Sequence, residues 1–307
     1  MRSRLLPRWP ISERSPLGHD LKTKLWSFQK KFRVSGIRDG LAWRAQRVRV
    51  LASRRWKHRE FERLVNGPEI FSAICDSRQR AIGQEIERRR LLFLEDNRLI
   101  SEIGTTELGL EKSSLGLYDE GQTVAQSAQF SRCPRDGAFL YALCAILRPR
   151  TCLELGTNIG ISSAYLAAGM RAAVGGSLIT LEASPVRAIL ARQLHSKIGL
   201  PRLDCRIGLF ADTLVPALES LGSADLAFVD GHHQYEATLN YWNLIAPCCP
   251  PGAVVVFDDT RWSEGMIQAW GELKRDTRFS AVIDLGWLGV CIVGNGPGRL
   301  VDARGIY

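Results

Sequence analysis

Two adjacent histidines follow an apolar run in a stretch whose residue types could do chemistry. Residues 226–236 read LAFVDGHHQYE, with Asp230 and Gly231 before His232 and His233. Carboxylates and imidazoles bind metal ions, and histidine is the side chain that exchanges protons most readily near neutral pH. The stretch therefore predicts a metal site, a catalytic base on a loop, or a turn that is merely polar.

A glycine-containing stretch, LELGTNIGIS at residues 153–162, has the features of a ligand-binding turn. Gly156 and Gly160 allow the backbone to turn tightly and a ligand to approach it, and the helix that follows begins with unpaired N–H groups. Glu182 stands 26 residues beyond Gly156, where a carboxylate can accept hydrogen bonds from both ribose hydroxyls of a nucleoside. This spacing indicates a cofactor that contains a nucleoside.

NAD and S-adenosylmethionine are the two cofactors that fit this pattern. A dinucleotide site requires GxGxxG, because the pyrophosphate must sit against a helix N-terminus, whereas residues 156–160 read GTNIG and lack the middle glycine. The amino acid end of S-adenosylmethionine would instead find a carboxylate at Glu154 and a hydroxyl group at Ser162. The residues therefore favour S-adenosylmethionine.

Short apolar runs bounded by Gly, Pro or Asp predict the elements that position these residues. Five runs are separated by segments long enough for a helix, which indicates a parallel sheet covered by helices on both faces. They are TCLEL (151–155), SLITLE (177–182), LDCRI (203–207), ADLAFV (224–229) and GAVVVFD (252–258). Two further runs, 279–285 and 287–293, flank Gly286 too closely for a crossover and predict an antiparallel hairpin.

Helices are also predicted over Ile86–Leu99 and Arg135–Leu147. In a sheet of this kind, ligands bind beyond the carboxyl ends of the strands. The residues after those strands are therefore the ones expected to carry the chemistry.

The composition is that of a globular protein with one strongly basic end. Of the 307 residues, 45% are hydrophobic and 24% charged, enough to bury a large core. The longest apolar stretches, such as 252–257, are far shorter than the roughly 18 residues that cross a bilayer. The eight cysteines include no CxxC pair, which argues against a disulfide framework or a zinc ribbon and predicts a reducing compartment, the cytoplasm.

Residues 1–65 carry most of the excess positive charge. They hold 18 Lys and Arg against five Asp and Glu, a net of +13, whereas the rest of the chain has a net of −4. Aromatic residues interleave with the basic ones at roughly helical spacing: Trp26, Phe28, Phe32, Trp43 and Trp56. This basic helical arm suits an anionic membrane surface or a nucleic acid. The alternatives are a solvated helix packed on the main domain by its aromatics, and a transit peptide.

Residues 123–293 resemble a class I S-adenosylmethionine-dependent methyltransferase of the bacterial group similar to catechol O-methyltransferase. The resemblance rests on four motifs in order: LELGTNIGISSAYLA, LITLEASP, FVDGHHQYEATLNYW and VVVFDDTRWSEGMIQAW. It implies a Rossmann-like, doubly wound α/β sheet of seven strands in the order 3-2-1-4-5-7-6, with the last strand antiparallel. It also implies cofactor contacts from Glu154, Gly156, Thr157, Gly160, Ser162, Glu182, Ala183, Gly208, Phe210 and Asp230.

The resemblance brings FDDT, at the end of the fifth strand, to face Asp230. Three hard oxygen donors, Asp230, Asp258 and Asp259, suit Mg²⁺ rather than zinc. In the catechol enzymes the matching positions hold two aspartates and an asparagine that bind magnesium, and Asp259 replaces that asparagine here. The alternative is that Asp230 orients the cofactor while Asp258 and Asp259 cap loops.

His233 falls three residues after Asp230, where the catechol enzymes place a catalytic lysine. Methyl transfer to oxygen is an in-line displacement, so the enzyme chiefly positions the acceptor and removes its proton. His233 is therefore the candidate base, with Asp230 beside it. The alternative is a turn histidine bonded to the backbone, and His232 is the weaker candidate.

These residues predict methyl transfer from S-adenosylmethionine to an oxygen of a hydroxylated small molecule or glycan. The alternatives are methylation of RNA or a peptide, and a non-catalytic S-adenosylmethionine-binding scaffold. We divide the chain into the basic arm (residues 1–65), a helical and loop extension (66–122) and the methyltransferase domain (123–307). A homodimer and a location peripheral to the membrane are compatible with the sequence.

Overall fold

The computed structural model describes residues 77–111, 119–173, 176–200, 203–294 and 299–302. The basic arm predicted over residues 1–65 lies outside the described residues. In the part of the chain that the structure describes, no helix is both long enough and apolar enough to cross a bilayer.

A single sheet runs through the described residues in the order β3-β2-β1-β4-β5-β7-β6-β8. Strands β1 to β5 are parallel neighbours, whereas β7 runs antiparallel to both β5 and β6. The strands are β1 (Thr151–Leu155), β2 (Ser177–Glu182), β3 (Leu203–Ile207), β4 (Leu226–Val229), β5 (Val254–Phe257), β6 (Phe279–Asp284), β7 (Gly289–Val293) and β8 (Arg299–Asp302). The predicted order of the first seven strands and the antiparallel hairpin are confirmed.

The sheet has eight strands rather than the seven that were predicted. The additional strand, β8, pairs with β6 in parallel, from Ala281 opposite Arg299 to Asp284 opposite Asp302. It is only four residues long and buries a single side chain, Val301. A strand this short, with two adjacent apolar residues between charged ones, gives no alternating apolar pattern, which is why the sequence did not predict it.

The described helices lie between the strands and before β1. They are α1 (Ser77–Leu94), α2 (Ile100–Glu102), α3 (Val124–Gln129), α4 (Pro134–Leu147), α5 (Ile161–Ala173), α6 (Pro185–Lys197), α7 (Phe210–Leu221), α8 (Tyr235–Ile245) and α9 (Glu264–Leu273). A π-helical turn (Ile103–Glu107) follows α2, and a 3₁₀ turn (Ala246–Cys248) follows α8.

The first predicted helix is wrong at both ends. The prediction ran from Ile86 to Leu99, but α1 begins at Ser77 and ends at Leu94. The carboxylate of Asp96 accepts hydrogen bonds from the backbone N–H of Arg98 at 3.1 Å and from its guanidinium at 2.6 Å. An aspartate that bonds to the backbone two residues ahead favours a turn over a continued helix.

Each face of the sheet carries its own hydrophobic core. One core packs side chains of α1, α3, α4, α5 and α6 against the sheet, and the other packs α7, α8 and α9. Alternate residues of a strand point to opposite faces, so Cys152 joins the first core and Leu153 the second. Ile86 of α1 and Ile100 of α2 belong to the first core. The described part of residues 66–122 therefore shares a core with the main domain, although the boundary at 122 stays a prediction.

The carboxyl ends of β1, β4 and β5 are tied together by backbone hydrogen bonds. The N–H of Asp230 donates to the carbonyl of Leu155 at 2.9 Å, and the N–H of Asp258 donates to that of Val229 at 2.9 Å. These bonds extend the parallel ladder just past the strands. The loops that follow the three strands consequently start side by side.

Candidate functional site

The turn after β1 packs directly on the loop after β4. Gly156 has a φ of +98°, and a Cβ at this position would overlap the carbonyl oxygen of Asp230. Only glycine therefore fits both the conformation and the space. The predicted cofactor loop and the predicted base loop are in contact through their backbones.

Glu154 is a fully buried carboxylate at the end of β1. The hydroxyl of Thr180 donates to its Oε2 at 2.6 Å, whereas Oε1 has no hydrogen-bond partner among the described residues. Burial raises the pKa of Glu154 to about 8, although the bond from Thr180 opposes this increase. A buried acceptor without a donor fits a cationic or donor group of a ligand, such as the ammonium of an amino acid.

Glu182 ends β2 and reaches across to the turn after β1. Its Oε2 accepts the N–H of Asn158 at 2.7 Å, and its Oε1 accepts the N–H of Ser184 at 2.9 Å. Burial raises the pKa of Glu182, and the bond from Ser184 opposes the increase. Each carboxylate oxygen can accept more than one hydrogen bond, so the two oxygens keep acceptor capacity for a pair of ribose hydroxyls.

The other predicted residues of the first turn lie around Glu154. Thr157 is buried and its hydroxyl is 2.5 Å from that of Thr180, while Ser162 is buried near the start of α5. A Cβ at Gly160 would come within 2.7 Å of the His195 ring. His195 contacts this turn through its Nε2, which lies 2.9 Å from the Ser163 hydroxyl and 3.1 Å from the Gly160 carbonyl oxygen.

The remaining cofactor residues lie at the ends of β2 and β3. Ala183 is exposed directly after Glu182. The N–H of Gly208 donates to the carbonyl of Glu182 at 2.9 Å. Phe210 begins α7 and packs edge-on against Tyr241, with ring centroids 5.3 Å apart. Ala183 and Gly208 thus border the end of β2, whereas the Phe210 ring lies against Gly231 in the loop after β4.

His233 lies between two carboxylates. Its Nε2 is 3.6 Å from Oδ1 of Asp230 and 3.6 Å from Oδ2 of Asp259. His232 and His233 both have positive φ, at +67° and +28°, a region that costs energy for residues other than glycine. Such strain is concentrated at functional sites. The backbone thus turns His233 towards the two carboxylates.

His232 points elsewhere. Its Nδ1 is 2.7 Å from the hydroxyl of Tyr241, and the side chain is exposed. The structure therefore separates the two histidines, with one on the carboxylate cluster and the other on the surface beside α8.

Asp258 and Asp259 meet an arginine that the sequence did not single out. The Nη2 of Arg132 donates to Oδ1 of Asp259 at 2.5 Å, and its Nε lies 2.5 Å from Oδ2 of Asp258 in an ion pair that lacks hydrogen-bond geometry. Its Nη1 is 3.6 Å from Asp136 in the first turn of α4. Only 15% of the arginine side chain is exposed, so this is a buried charge network rather than a surface ion pair.

Burial and charge act against each other in this network. Burial raises the pKa of Asp258 well above its ordinary value, and the neighbouring Asp230 adds to the increase, whereas Arg132 opposes it. Burial likewise raises the pKa of Asp230 against the effects of Arg132 and His233. Burial disfavours the charged form of Arg132, yet the carboxylates, Asp258 first, raise its pKa above the ordinary value.

The three predicted magnesium ligands do not present a shared set of free oxygens. Among the described residues, the group that could hold a metal ion is Asp230, His233 and Asp259, whose ligand atoms all lie within 4.8 Å of one another. Asp258 instead faces Arg132. The donor set therefore does not fit an ion bound by Asp230, Asp258 and Asp259 together.

Trp262 was also missed by the sequence interpretation. Its ring centroid is 6.4 Å from that of His233, and 60% of the residue is exposed. It stands within the quoted motif VVVFDDTRWSEGMIQAW, three residues after Asp259. Its position close to an acid at the end of a strand is the feature of the sequence that could have identified it. Arg132 had no such signal, because it lies 127 positions before Asp259.

Known proteins are similar to the part of the chain that carries most of these residues. Residues 153–260 match the family model described as a methyltransferase domain. This range contains the five acidic residues of the predicted sites: Glu154, Glu182, Asp230, Asp258 and Asp259. It does not contain Arg132.

Two curated relatives and one solved structure are similar over about half of the chain. A catechol O-methyltransferase of Niastella koreensis is 29% identical over 154 residues, which cover 50% of this chain and 68% of the relative. A catechol O-methyltransferase of Mycobacterium tuberculosis is 32% identical over 145 residues, which cover 47% of this chain and 60% of the relative. The crystal structure of an O-methyltransferase from Bacillus cereus in complex with SAH aligns at 26% identity and a TM-score of 0.45, covering 53% of this chain and 82% of that one.

Proposed function

Because the chain belongs to the class I S-adenosylmethionine-dependent methyltransferases, we propose that it transfers a methyl group to an oxygen of a hydroxylated small molecule or glycan. The observation that carries this proposal is the position of His233, whose Nε2 lies 3.6 Å from each of two carboxylates. Those carboxylates belong to the loops after β4 and β5, beside the turn that suits the cofactor. A proton acceptor at this place is what methyl transfer to a hydroxyl group requires.

The residues around Glu154 support a site for the cofactor. Glu154 has an unpartnered oxygen, Glu182 keeps acceptor capacity, and Gly156 allows the turn to pack directly on the loop of Asp230. Glu154 would bind the ammonium group and Glu182 the ribose hydroxyls. When bound, S-adenosylmethionine supplies a methyl group on a sulfonium, which is a good leaving group.

His233 would accept the proton of the acceptor hydroxyl while the acceptor oxygen forms its bond to the methyl carbon and the bond from that carbon to sulfur breaks. The proton would end on the imidazole of His233, and the electron pair of the broken bond would stay on the sulfur of the departing product. Asp230 and Asp259 would stabilise the imidazolium that forms, because both carboxylates face Nε2. Asp230 would therefore support both the base and the cofactor loop, which its backbone contacts.

Two exposed tryptophans in the loops next to Asp259 favour an acceptor with a flat or apolar face. Trp262 is 60% exposed beside His233, and Trp287 is 41% exposed. The N–H of Thr260 donates to the carbonyl of Trp287 at 3.1 Å, so both tryptophans belong to the loops next to Asp259. Exposed tryptophans stack on aromatic rings and on the apolar faces of sugars. This arrangement is compatible with both acceptor classes.

The experiment is a panel of acceptors with S-adenosylmethionine. A catechol, a monophenol, a sugar, an RNA and a hydroxyl-containing peptide are incubated with the protein, and methylated product and S-adenosylhomocysteine are measured by mass spectrometry. We expect methylation of hydroxylated small molecules. Methylation of RNA or peptide alone would contradict the proposal, and so would cofactor binding without transfer to any member of the panel, which would indicate a scaffold.

A further inference from the structure

We propose that Arg132 is a positioning residue that takes the place of a divalent cation beside Asp258 and Asp259 and, through Asp259, orients His233. The inference deepens the proposed function, on which its turnover experiment rests, whereas its metal-binding experiment is independent of any acceptor.

The four carboxylate oxygens of Asp258 and Asp259 already have neighbours. Oδ1 of Asp258 accepts the N–H of Asp259 at 2.6 Å, and Oδ2 faces the Nε of Arg132 at 2.5 Å. Oδ1 of Asp259 accepts from the Nη2 of Arg132 at 2.5 Å. Only Oδ2 of Asp259 remains, and it lies 3.6 Å from His233. The arginine thus joins the two carboxylates that a bridging cation would join.

The ligands that remain do not suit magnesium. Mg²⁺ prefers oxygen ligands in near-octahedral geometry, whereas one of the three groups that could hold an ion, among Asp230, His233 and Asp259, is an imidazole nitrogen. An ion bound there would also occupy the Nε2 of His233 and the carboxylates that face it, so Asp230 and Asp259 would no longer stabilise an imidazolium. A divalent ion would in addition lie next to the positive guanidinium that already binds Asp259.

Arg132 has the properties expected of a side chain that replaces a metal cation. A guanidinium remains charged at any pH that a protein tolerates, and its planar fork can bind two carboxylates at fixed angles. The residue directly precedes Cys133, the N-cap of α4, and its side chain is 15% exposed. The neighbouring Asp136 lies 3.6 Å from its Nη1. The guanidinium is therefore held from three sides, by Asp258, Asp259 and Asp136.

The effect of Arg132 on the base passes through Asp259. Asp259 has a φ of +50°, a left-handed conformation that costs energy for a residue other than glycine. One of its oxygens is fixed by Arg132 and the other faces His233. Removal of Arg132 would release Asp259 and, with it, one of the two carboxylates that orient the imidazole.

Binding of Mn²⁺ tests the inference without turnover. Free Mn²⁺ is titrated by electron paramagnetic resonance against the full-length wild type, Arg132→Met, Arg132→Lys and the exposed control Arg135→Met. We expect no saturable binding to the wild type, Arg132→Lys or Arg135→Met at millimolar Mn²⁺. Arg132→Met leaves Asp258 and Asp259 without their cation and should bind Mn²⁺ at least tenfold more tightly than the wild type.

Turnover of an acceptor identified by the panel provides the second measurement. We expect the wild type to keep its kcat in EDTA, Arg132→Met to lose at least tenfold in kcat, and Arg132→Lys to recover part of the loss. Saturable Mn²⁺ binding to the wild type, or abolition of its turnover by EDTA, would overturn the inference even if Arg132→Met failed to fold. A folded Arg132→Met variant with wild-type kcat would overturn it too. If no acceptor is methylated, the proposed function fails while the Mn²⁺ titration still decides the role of Arg132.

Discussion

Gly156 and Asp230 lie in backbone contact, with no room for a Cβ between the α-carbon of the glycine and the carbonyl oxygen of the aspartate. One residue belongs to the turn that suits the cofactor and the other begins the loop that carries His233. A change in either loop is therefore transmitted directly to the other. We therefore expect changes in the backbone of either loop to affect both the proposed cofactor turn and the loop of His233.

Gly156→Ala is expected to weaken cofactor binding and stability together. The left-handed conformation alone costs about 1 kcal/mol or more for alanine, and overlap with the Asp230 carbonyl adds to this cost. Gly222→Ala is the matched control, because Gly222 also has a positive φ, at +69°, but nothing lies within 4 Å of the added Cβ. Calorimetry with S-adenosylhomocysteine should show at least a tenfold loss for Gly156→Ala and none for Gly222→Ala. Equal affinities of the two variants would contradict the importance of the contact.

Cofactor affinity should depend on pH through Glu154. Its pKa of about 8 in the unliganded protein means that the carboxyl group is mostly protonated below pH 8, whereas a bound ammonium group favours the carboxylate. Binding at pH 7 should therefore release a proton, and affinity should rise from pH 6 to 8 by up to about tenfold per pH unit. Calorimetry in buffers of different ionisation enthalpy measures both quantities.

Two variants separate Glu154 from other titrating groups. Glu154→Gln should bind more weakly at pH 8 and show little pH dependence between pH 6 and 8. Thr180→Val removes the hydroxyl that donates to Oε2, so the carboxylate loses a stabilising bond and the rise in affinity should move to higher pH. Wild-type affinity that stays constant from pH 6 to 8 would show that Glu154 is not the group that meets the ammonium.

His233→Ala should lower kcat by about a hundredfold or more, the usual contribution of a general base. Cofactor affinity should change little, because the side chain faces Asp230 and Asp259 rather than the turn after β1. His232→Ala is the matched control, since that neighbour points to Tyr241 instead. Steady-state kinetics on an acceptor from the panel measure the effect. If both variants keep wild-type kcat, positioning of the acceptor is sufficient for catalysis.

His195 should make the cofactor-free protein less stable in acid. Burial lowers its pKa from 6.5 to about 4, so between these values the unfolded chain binds a proton that the folded protein does not. This contribution to stability is fully present above pH 6.5 and declines as the pH falls towards 4, by on the order of 3 kcal/mol in total. Urea unfolding at several pH values should show a shallower decline for His195→Gln. Parallel curves for wild type and variant would exclude His195 as the cause.

Deletion of residues 1–65 tests the proposed role of the basic arm. With 18 basic and five acidic residues, the arm should account for adsorption to anionic liposomes or RNA, and this adsorption should weaken steeply as salt rises. Sedimentation with liposomes and filter binding with RNA measure the loss, while cofactor binding should remain. A truncated protein that does not fold would instead favour the interpretation that the aromatics of the arm pack on the main domain.

The strands were the most predictable part of the fold. The bounds of β1, β2 and β3 agree with the predicted runs. The inner strands β1 and β2 are covered on both faces and read as short apolar segments between turn residues. The run ADLAFV predicted a strand β4 that is two residues too long, because Ala224 is buried but lies outside the strand. Buried apolar residues therefore mark the middle of a strand correctly, but at the ends of a strand a residue can be buried without pairing in the sheet.

Pairings of side chains far apart in the sequence were less predictable. The order of strands brings Asp230 and Asp259 together, so their proximity followed from the sequence. Arg132, the partner of Asp258, lies in a loop before α4, and this loop does not follow a strand. A lone arginine there looks like any other surface charge, and only packing identifies it as buried.

Pairing with β8 also covers the edge of β6 from Ala281 to Asp284. The strands left at the two margins of the sheet are β3 and β8, and β8 begins with Arg299 and ends with Asp302. A short marginal strand with charged ends resists intermolecular pairing, whereas β6 is a longer and mostly buried apolar strand. Variants that lose Arg299–Asp302 would present β6 as a template for aggregation, even though every residue of the candidate site would remain in place.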